Sequence, residues 1–489
     1  MKTSFRRAAF PLTLAIFLLI VFLNPQPLQG AVLQVKKDGT GDYTTVQAAL
    51  DAAKSGDTVI VNAGTYTEDV NIGDLNAPSV KKDNVTLKAA EGATVEIISA
   101  NTKSRAGGLL LAGIDIGPQD MAGFVVNGDG VVVEGIHFVQ PVSNVSGINR
   151  NVCVTVCSSN VTFRRCEIVG PSTDDGPTQN FGGDVVGLAF ASADVYRISQ
   201  GLSAPPTNLL LEDCKIHHAE YGVAIEDFLN IGYSALVTLK NCEVYYNRYG
   251  VESNDGGYQL IDSHFHHNLI GVQFSDDASA ISHCVIDYNQ EHGVNLNGGE
   301  GDANEPPEHP SLKIDNCDIA HNGGDQNHYG IRVRYGTLEV VDTIVRDNAG
   351  ANVFFEAIDT GETTAKIDRC DLYKSLLGIG VKTTDSPKNI INVSITNSII
   401  VDADGIENNM EPLADFTVEY CDIFVTGDQF MGEIIKQSNI LKVDPAYVDA
   451  DAGDFTLKPN SPVAEAGKNS GRMGSKGVAA PINDWMVLE

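Results

Sequence analysis

A single repeat governs most of this 489-residue chain. Each copy reads apolar-x-apolar-x-x-anchor-x-apolar, followed by Asn and then Gly-Val, as in the segment VTLKNCEVYYNRYGVE at 237–252. The anchor is a small residue, and successive anchors from Cys214 onward are 21 to 33 residues apart. The anchors are Cys166, Cys214, Cys242, Ser263, Cys284, Cys317, Thr343, Cys370, Ser398 and Cys421. Alternating polarity within a repeat of this length predicts a solenoid of short strands rather than several separate globular domains.

Two residue columns define the interior of the predicted solenoid. Apolar side chains lie three residues before and two residues after each anchor, which places both on the buried side of a strand. Asn recurs five residues after the anchor, where stacked coils about 4.8 Å apart would let the amides bond from coil to coil. These residues are Asn247, Asn268, Asn289, Asn322 and Asn348. Seven of the nine cysteines are anchors, so we expect buried, unpaired thiols rather than disulfides.

The repeat also suggests how the chain is divided. Residues 1–30 combine a basic start with an apolar run too short to span a bilayer, which predicts a cleaved signal peptide and an extracellular, cell-surface or periplasmic location. Residues 31–440 form the predicted solenoid, with a short helix over 44–53 covering its first coil. Lateral loops are expected near 171–208 and 298–310, and 441–489 is expected to be a C-terminal capping segment.

The charge balance limits the partners. The sequence has 33 Lys and Arg against 64 Asp and Glu, a net charge of −31. This excess of negative charge argues against binding nucleic acid or an anionic membrane. An anionic substrate would need a bridging cation or a local basic patch.

Two terminal blocks carry a family resemblance. The block VKKDGTGDYTTVQAALDAAKSGDTVIVNAGTYTEDVNI at 35–72 and the block DPAYVDADAGDFTLKPNSPVAEAG at 444–467 resemble the opening and closing segments of right-handed parallel β-helix proteins of the pectin-lyase-like superfamily. The resemblance implies an all-β, three-sheet solenoid of roughly 10–12 coils with a short N-terminal capping helix. It also implies extracellular polysaccharide as the partner, while lyases, hydrolases, esterases, epimerases and binding proteins all share the fold.

The motifs of the known enzymes are mostly missing. The Gln-Asp-Thr-Leu and Asp-Phe-Ile-Phe-Gly motifs of pectin methylesterases and the Asp-Pro-His-Asp run of alginate epimerases are absent. The polygalacturonase motifs have a partial counterpart in the same order but in a different register. The counterpart consists of Asn254-Asp255, Asp276-Asp277, Glu291-His292-Gly293 and Arg332-Val333-Arg334. A glycoside hydrolase with Asp255 and Asp277 as its acid/base pair is therefore one alternative.

The strand after each Gly offers the candidate site. Its outward positions and borders supply polar groups suited to sugar hydroxyls, namely Glu226, Glu252, Asn254, Gln273, Asn295, Asn297 and Lys382. Asp255, Asp276 and Asp277 follow neighbouring strands, and their repulsion would be relieved by Ca²⁺. In a lyase, Ca²⁺ would neutralise a uronate carboxylate while a basic side chain removes the α-proton. The catalytic candidates are Asp255, Asp276, Asp277, His292, Arg332 and Arg334, with no organic cofactor.

Two non-catalytic alternatives remain open. The acidic positions fit an ordinary solvated face, and they also fit a monomeric surface or matrix protein that binds Ca²⁺ without catalysis. A second stripe follows the anchors, comprising His217-His218, Tyr245-Tyr246, His266-His267, Asp287-Tyr288 and Ala320-His321. His267 and His321 could share a metal with Asp287 between them, but packing of rings between neighbouring coils is favoured.

Overall fold

The structure is a computed structural model, and its described part consists of separate ranges. They are 30–73, 81–100, 110–111, 114–115, 119–141, 148–171, 184–190, 207–225, 235–253, 256–275, 277–298, 309–357, 362–383, 390–409, 414–432 and 435–475. The predicted signal peptide lies outside them, apart from Gly30. Within these ranges, no helix has both the length and the apolar character needed to cross a bilayer.

The chain winds into a right-handed parallel β-helix with three sheets, as the resemblance implied. Strands that precede the anchors form the first sheet, namely Val32–Val35, Thr58–Val61, Thr86–Ala89, Val132–Glu134, Val161–Arg164, Leu209–Glu212, Leu236–Lys240, Gly257–Ile261, Ala278–Ser282, Ser311–Asp315, the second half of Ile331–Val341, Glu362–Asp368, Ile390–Thr396, Ala414–Glu419 and Ile435–Ser438. Strands that follow the anchors form the second sheet, namely Gly64–Thr67, Val95–Ile98, Ile136–Val139, Glu167–Val169, Lys215–His217, Glu243–Tyr245, His264–His266, Val285–Asp287, Asp318–Ala320, Ile344–Arg346, Asp371–Tyr373, Ile399–Val401 and Asp422–Ile423. The third sheet contains Val70–Ile72, Gln119–Val126, Ile148–Val156, Asp184–Phe190, Tyr221–Ile225, Tyr249–Ser253, Ile270–Phe274, His292–Asn297, the first half of Ile331–Val341, Ala351–Ala357, Leu377–Thr383, Asp404–Asn408 and Phe430–Gly432.

The coil count exceeds the sequence prediction. The second sheet has 13 strands in the described ranges, one for each coil, against the expected 10–12. Three coils precede the Cys166 coil, and the strand register places Gly64, Val95 and Ile136 at their anchor positions. Val95 and Ile136 are larger than the Cys, Ser and Thr of the later coils, so the repeat pattern did not reveal these coils.

The turns on either side of the second sheet explain the repeat. The residue before the anchor has a left-handed backbone, as at Asn241 (φ 53°) and Asp262 (φ 50°), and so does the residue four after the anchor, as at Tyr246 (φ 53°) and His267 (φ 54°). Asn and Asp tolerate this conformation because their short polar side chains bond locally. One such residue at each end of a three-residue strand bends every coil at the same two places.

The interior is built from the predicted columns. All ten anchors named from the sequence are buried, and the structure confirms that the nine cysteines are unpaired. The Asn column is buried as well: Asn268 Oδ1 accepts from the backbone N of Asn247 at 2.9 Å and from its Nδ2 at 3.1 Å. Asn289, Asn322 and Asn348 continue the same pattern coil by coil. The amides therefore satisfy backbone donors that would otherwise be buried without partners.

The N-terminal end is covered by a helix as predicted. The helix Val46–Ala52 begins at Thr45, whose hydroxyl accepts from Ala48 N at 3.3 Å. Val46, Ala49 and Leu50 are fully buried and join the core. The helix therefore shields the apolar interior at the first coil.

The described C-terminal segment takes a different position from a simple end cap. Leu441 bridges Asp422 in the second sheet, and the chain then folds back over the outer face of that sheet. It contains an antiparallel pair, Tyr447–Asp449 with Asp454–Leu457, and 3-10 helices Ala450–Ala452 and Lys468–Ser470. The C-terminal segment packs on apolar residues that the second sheet exposes near its end. It therefore covers a side of the rod.

The predicted lateral loop at 171–208 contains a strand. Asp184–Phe190 pairs with Ile148–Val156 on one side and Tyr221–Ile225 on the other. Val186, Leu188 and Phe190 are fully buried, which explains why this stretch joins the sheet. Of the loop predicted at 298–310, only residues 298, 309 and 310 belong to the described ranges.

Candidate functional site

A column of polar side chains runs along the outer face of the third sheet. The register places Glu252 beside Gln273, Gln273 beside Asn295, and Asn295 beside Arg332. Gln273 Nε2 donates to Glu252 Oε1 at 3.0 Å, and Asn295 Nδ2 donates to Gln273 Oε1 at 2.7 Å. We call Glu252, Gln273 and Asn295 the polar ladder. Strand register alone therefore brings together three of the residues that the sequence assigned to substrate binding.

Glu252 fixes the direction of the polar ladder. A carboxylate can only accept, so Gln273 turns its NH₂ toward Glu252 and its carbonyl toward Asn295, and Asn295 must do the same one coil further. Asn295 is 2% exposed, and its Oδ1 has no hydrogen-bond partner among the described residues. A buried acceptor of this kind is costly until a donor reaches it. A sugar hydroxyl is a donor of the right kind.

Two arginines continue the face on the next coil. The guanidinium of Arg332 pairs with Glu356, with Nε 2.9 Å from Oε2. Arg334 Nη1 donates to Asn297 Oδ1 at 2.8 Å, and its Nε lies 3.8 Å from the same Glu356 oxygen. Glu356, which the sequence analysis missed, thus joins both arginines. Lys382, exposed, lies beside Glu356 in register.

Stacked rings border the polar ladder and were also missed. Tyr221 and Tyr249 stack with centroids 5.4 Å apart. Tyr329 lies between His292, at 5.4 Å, and Phe354, at 4.1 Å, with nearly parallel planes. The sequence does contain a signal, since Tyr221, Tyr249, His292 and Tyr329 each directly precede the Gly of their repeat. Aromatic faces beside hydrogen-bonding groups suit amphipathic ligands such as sugars.

His292 sits within these stacks rather than on an open surface. It is 5% exposed, and its Nδ1 accepts from the backbone N of Tyr329 at 3.1 Å. Burial, with the nearby positive charge of Arg332, lowers the pKa of His292 to about 3. The imidazole is therefore neutral at ordinary pH and suited to positioning Tyr329 rather than to supplying a proton from an imidazolium.

The acidic part of the predicted site lies mostly outside the described ranges. Glu226, Asn254, Asp255 and Asp276 belong to the parts of the chain that are not described. Asp277 occupies a left-handed turn (φ 46°), and its carbonyl accepts from Ser311 N at 3.1 Å. Across the described ranges, no three His, Cys, Asp or Glu side chains are grouped so as to hold a metal ion. The predicted calcium site thus remains a prediction.

The His and Tyr stripe beside the second sheet packs as rings, which was the favoured interpretation. Tyr288 lies between His267, at 5.6 Å, and His321, at 4.9 Å, with near-parallel planes. A phenol ring thus occupies the space in which His267 and His321 would have shared a metal. Tyr245 stacks in the same way between His217 and His266.

Comparison with known proteins agrees on the fold. Residues 200–357 match the family model described as the right handed beta helix region. None of the curated proteins matches the chain. The chain has the right-handed parallel β-helix fold, as its three parallel sheets show, and the matched segment lies within that fold.

Solved structures of the same architecture align at low identity. A pectate lyase aligns at 14% identity over 91% of this chain and 94% of that chain, with a TM-score of 0.41. The Dettilon tailspike protein aligns at 12% over 83% and 68%, with a TM-score of 0.45. The A-module of an Azotobacter vinelandii mannuronan C-5 epimerase aligns at 12% over 80% and 94%, with a TM-score of 0.46. Likenesses at this level say nothing about the activity of this chain.

Proposed function

We propose that the outer face of the third sheet binds an extracellular polysaccharide and that the protein works outside the cytoplasm. The observation that carries the proposal is the polar ladder, whose side chains repeat at the spacing of the coils and end in the buried, unpartnered Oδ1 of Asn295. A polysaccharide presents hydroxyl groups at regular intervals along its length, so it matches such a row of donors and acceptors. The ring stacks of Tyr221 with Tyr249 and of His292 with Tyr329 border the row on the same face.

Arg332 and Arg334 favour an acidic sugar within this class. Guanidinium groups bind carboxylates in a planar, two-bond geometry. The pair stands beside the polar ladder in a protein whose net charge is −31, so it offers a local site for an anion that the rest of the surface repels. A uronate carboxylate would bind Arg332 and Arg334 in exchange for Glu356.

Binding without cleavage comes first in this proposal because the described residues assemble binding groups more completely than catalytic ones. Arg332 is engaged by Glu356, and the Nδ1 of His292 is occupied by a backbone N–H. Calcium-assisted β-elimination remains the second candidate and depends on Asp255, Asp276 and Asp277. A non-catalytic calcium-binding matrix protein and a hydrolase acting through Asp255 and Asp277 remain further candidates.

Affinity electrophoresis against a panel of neutral and uronate-containing polysaccharides, with and without Ca²⁺, tests the binding. We expect retardation by a uronate-containing glycan and a loss of affinity of about tenfold in Gln273→Ala, equivalent to about 1.4 kcal/mol. Gln259→Ala is the matched control, because Gln259 is exposed on the first sheet. Mobility that no glycan changes, or an equal loss in both variants, would rule the proposed face out.

The same panel separates the enzymatic alternatives. A lyase would produce ultraviolet-absorbing unsaturated ends that disappear with chelator, whereas a hydrolase would release reducing ends without that absorbance. A binding protein would do neither. The signal peptide is tested separately, by sequencing the N-terminus of protein recovered from the medium or periplasm.

A further inference from the structure

Two pairs of adjacent histidines stand on the edge of the second sheet. In each pair the first residue ends a strand and the second has a left-handed backbone, with φ 62° at His218 and 54° at His267. This turn brings the Nδ1 atoms of a pair together. They are 2.5 Å apart in His217-His218 and 2.8 Å apart in His266-His267, so one Nδ1–H of each pair donates to the other Nδ1.

A carboxylate holds the first ring of each pair by its other nitrogen. His266 Nε2 lies 3.2 Å from Glu243 Oε1, and His217 Nε2 lies 3.1 Å from Glu167 Oε1. A carboxylate oxygen can only accept, so this hydrogen bond puts the proton of a neutral imidazole on Nε2 and leaves the lone pair on Nδ1. Metal-binding histidines are oriented by carboxylates in this way.

The second ring of the His266-His267 pair is open to solvent, because His267 is an exposed residue. Ring contacts with Tyr245, Tyr246 and Tyr288 hold the two imidazoles in place. The pair is therefore oriented before any ligand arrives.

The separation of the nitrogens selects a coordination geometry. With metal–nitrogen bonds of about 2.0 Å, the nitrogens of His266-His267, 2.8 Å apart, subtend about 90° at the metal, and those of His217-His218, 2.5 Å apart, subtend about 77°. Tetrahedral coordination would need the nitrogens about 3.3 Å apart. Right angles belong to the square-planar or tetragonal arrangement that Cu²⁺ and Ni²⁺ adopt with nitrogen and oxygen ligands. Cu²⁺ binds such ligands most tightly among the first-row divalent ions.

We propose that each His-His pair chelates one Cu²⁺ ion through its two Nδ1 atoms, that the ion displaces the proton between them to the Nε2 of the second ring or to solvent, and that water completes the coordination. The site needs only two protein ligands, so it is compatible with the lack of larger metal-binding clusters in the described ranges. The two pairs are two coils apart, with the Tyr245 coil between them, which places the ions about 10 Å from each other. This inference is independent of the glycan site on the third sheet.

Titration of the whole protein with Cu²⁺ alone, followed by electron paramagnetic resonance, tests the proposal. We expect two ions per chain, each with an axial spectrum showing coupling to two imidazole nitrogens. His267→Asn should remove one ion and His218→Asn the other, and Asn tolerates the left-handed backbone at both positions. The matched control is His283→Asn, an exposed single histidine with φ 55°, which should keep both ions.

The carboxylate supplies a finer readout. Glu243→Gln leaves both imidazoles in place and should weaken the His266-His267 site by 10- to 100-fold, because the amide no longer holds the ring in the correct tautomer. The proposal is overturned if Cu²⁺ does not bind, or if bound Cu²⁺ is unaffected by the two histidine variants. Equal losses in His283→Asn and His267→Asn would overturn it as well.

Discussion

One buried carboxylate interrupts the column of interior amides. The Asn column ends where Asn348 Nδ2 donates to Asn352 Oδ1, and beyond it Asp402 Oδ1 accepts from Ser375 N at 2.5 Å and from Asn352 Nδ2 at 3.3 Å. Asp402 also lies beneath Gly378, as each Asn lies beneath a Gly. Asp402 therefore takes the place of an amide, but with a group that can ionise.

Replacing Asp402 with Asn should stabilise the protein, and the gain should depend on pH. Burial raises the pKa of Asp402 to about 7, above its value in the unfolded chain. Unfolding then releases a proton at intermediate pH, so stability falls as pH rises from about 4 to about 7 and is constant above that. The gain in Asp402→Asn should approach 4 kcal/mol at pH 8, as an order of magnitude, and vanish near pH 4.

Thermal melting from pH 4 to pH 8.5 measures this effect. Asp428→Asn, at an exposed position, is the control and should shift the curve little at any pH. A gain for Asp402→Asn that is the same at both ends of the range would contradict a carboxyl group that is neutral at acidic pH.

The sequence predicted the residues of the interior better than their roles. Burial of the anchors and coil-to-coil bonding of the Asn column are both confirmed. The repeat pattern alone explains the preference for Cys at the anchor by its small size. In the structure, Cys166 Sγ donates to the carbonyl two residues earlier at 3.3 Å, and Ser263 Oγ does the same at 2.8 Å. Size and hydrogen bonding select the same small residues, so the pattern could not separate them.

At the scale of elements, the third sheet shows where sequence reasoning stopped. The Gly-Val start of its strands was predicted, and the outward positions that follow form the polar ladder. Gly250 is required because a Cβ would lie 2.3 Å from the carbonyl of Gly271 and 3.2 Å from Asn268 Nδ2. The stacked rings occupy the position directly before the Gly of each Gly-Val pair, and the repeat pattern does not include that position. Their contacts depend on neighbouring coils, which periodicity alone does not show.

The C-terminal segment should detach from the second sheet when its aromatic contact is removed. Phe455 is 5% exposed and packs edge-on against Tyr373 at 5.2 Å and Tyr447 at 5.1 Å. Truncation of a buried Phe to Ala costs about 3–5 kcal/mol, and here the loss falls on a peripheral segment rather than on the core. We expect Phe455→Ala to speed proteolysis within 440–475 by at least tenfold, with a smaller effect on the melting temperature of the rod.

Phe424 offers the same substitution at a position that is 39% exposed. Phe424→Ala should leave the proteolysis rate within a factor of about three, because little buried surface is lost. Similar cleavage rates in the two variants would show that the segment is held by its polar contacts, such as Ser475 N to Asp371 Oδ2 at 2.6 Å, instead of by Phe455.

At the scale of the whole molecule, each coil contacts mainly the coils directly before and after it. Every described second-sheet strand pairs in parallel with the corresponding strands of adjacent coils, and the Asn bonds follow the same order. Stability in such an array is close to a sum of similar nearest-neighbour terms. This is why a one-dimensional repeat was enough to predict the fold, and why features that break the repeat, such as the strand Asp184–Phe190, were missed.

Removal of one whole coil should therefore leave a folded, shorter rod. Ser263 and Cys284 are both anchors and are 21 residues apart, so deletion of residues 263–283 joins Asp262 to Cys284 in the same register, with a left-handed residue still before the anchor. Asn247 would then bond to Asn289, and Val244 would pack on Ile286. We expect cooperative unfolding within about 5 °C of the parent and a rod about 4.8 Å shorter by small-angle scattering.

Deletion of residues 263–272 is the control: it removes about half a coil, brings outward side chains into the core and should abolish cooperative unfolding. If the whole-coil deletion unfolds as readily as the half-coil deletion, the coils are not equivalent units, and the neighbour-by-neighbour account of this rod fails.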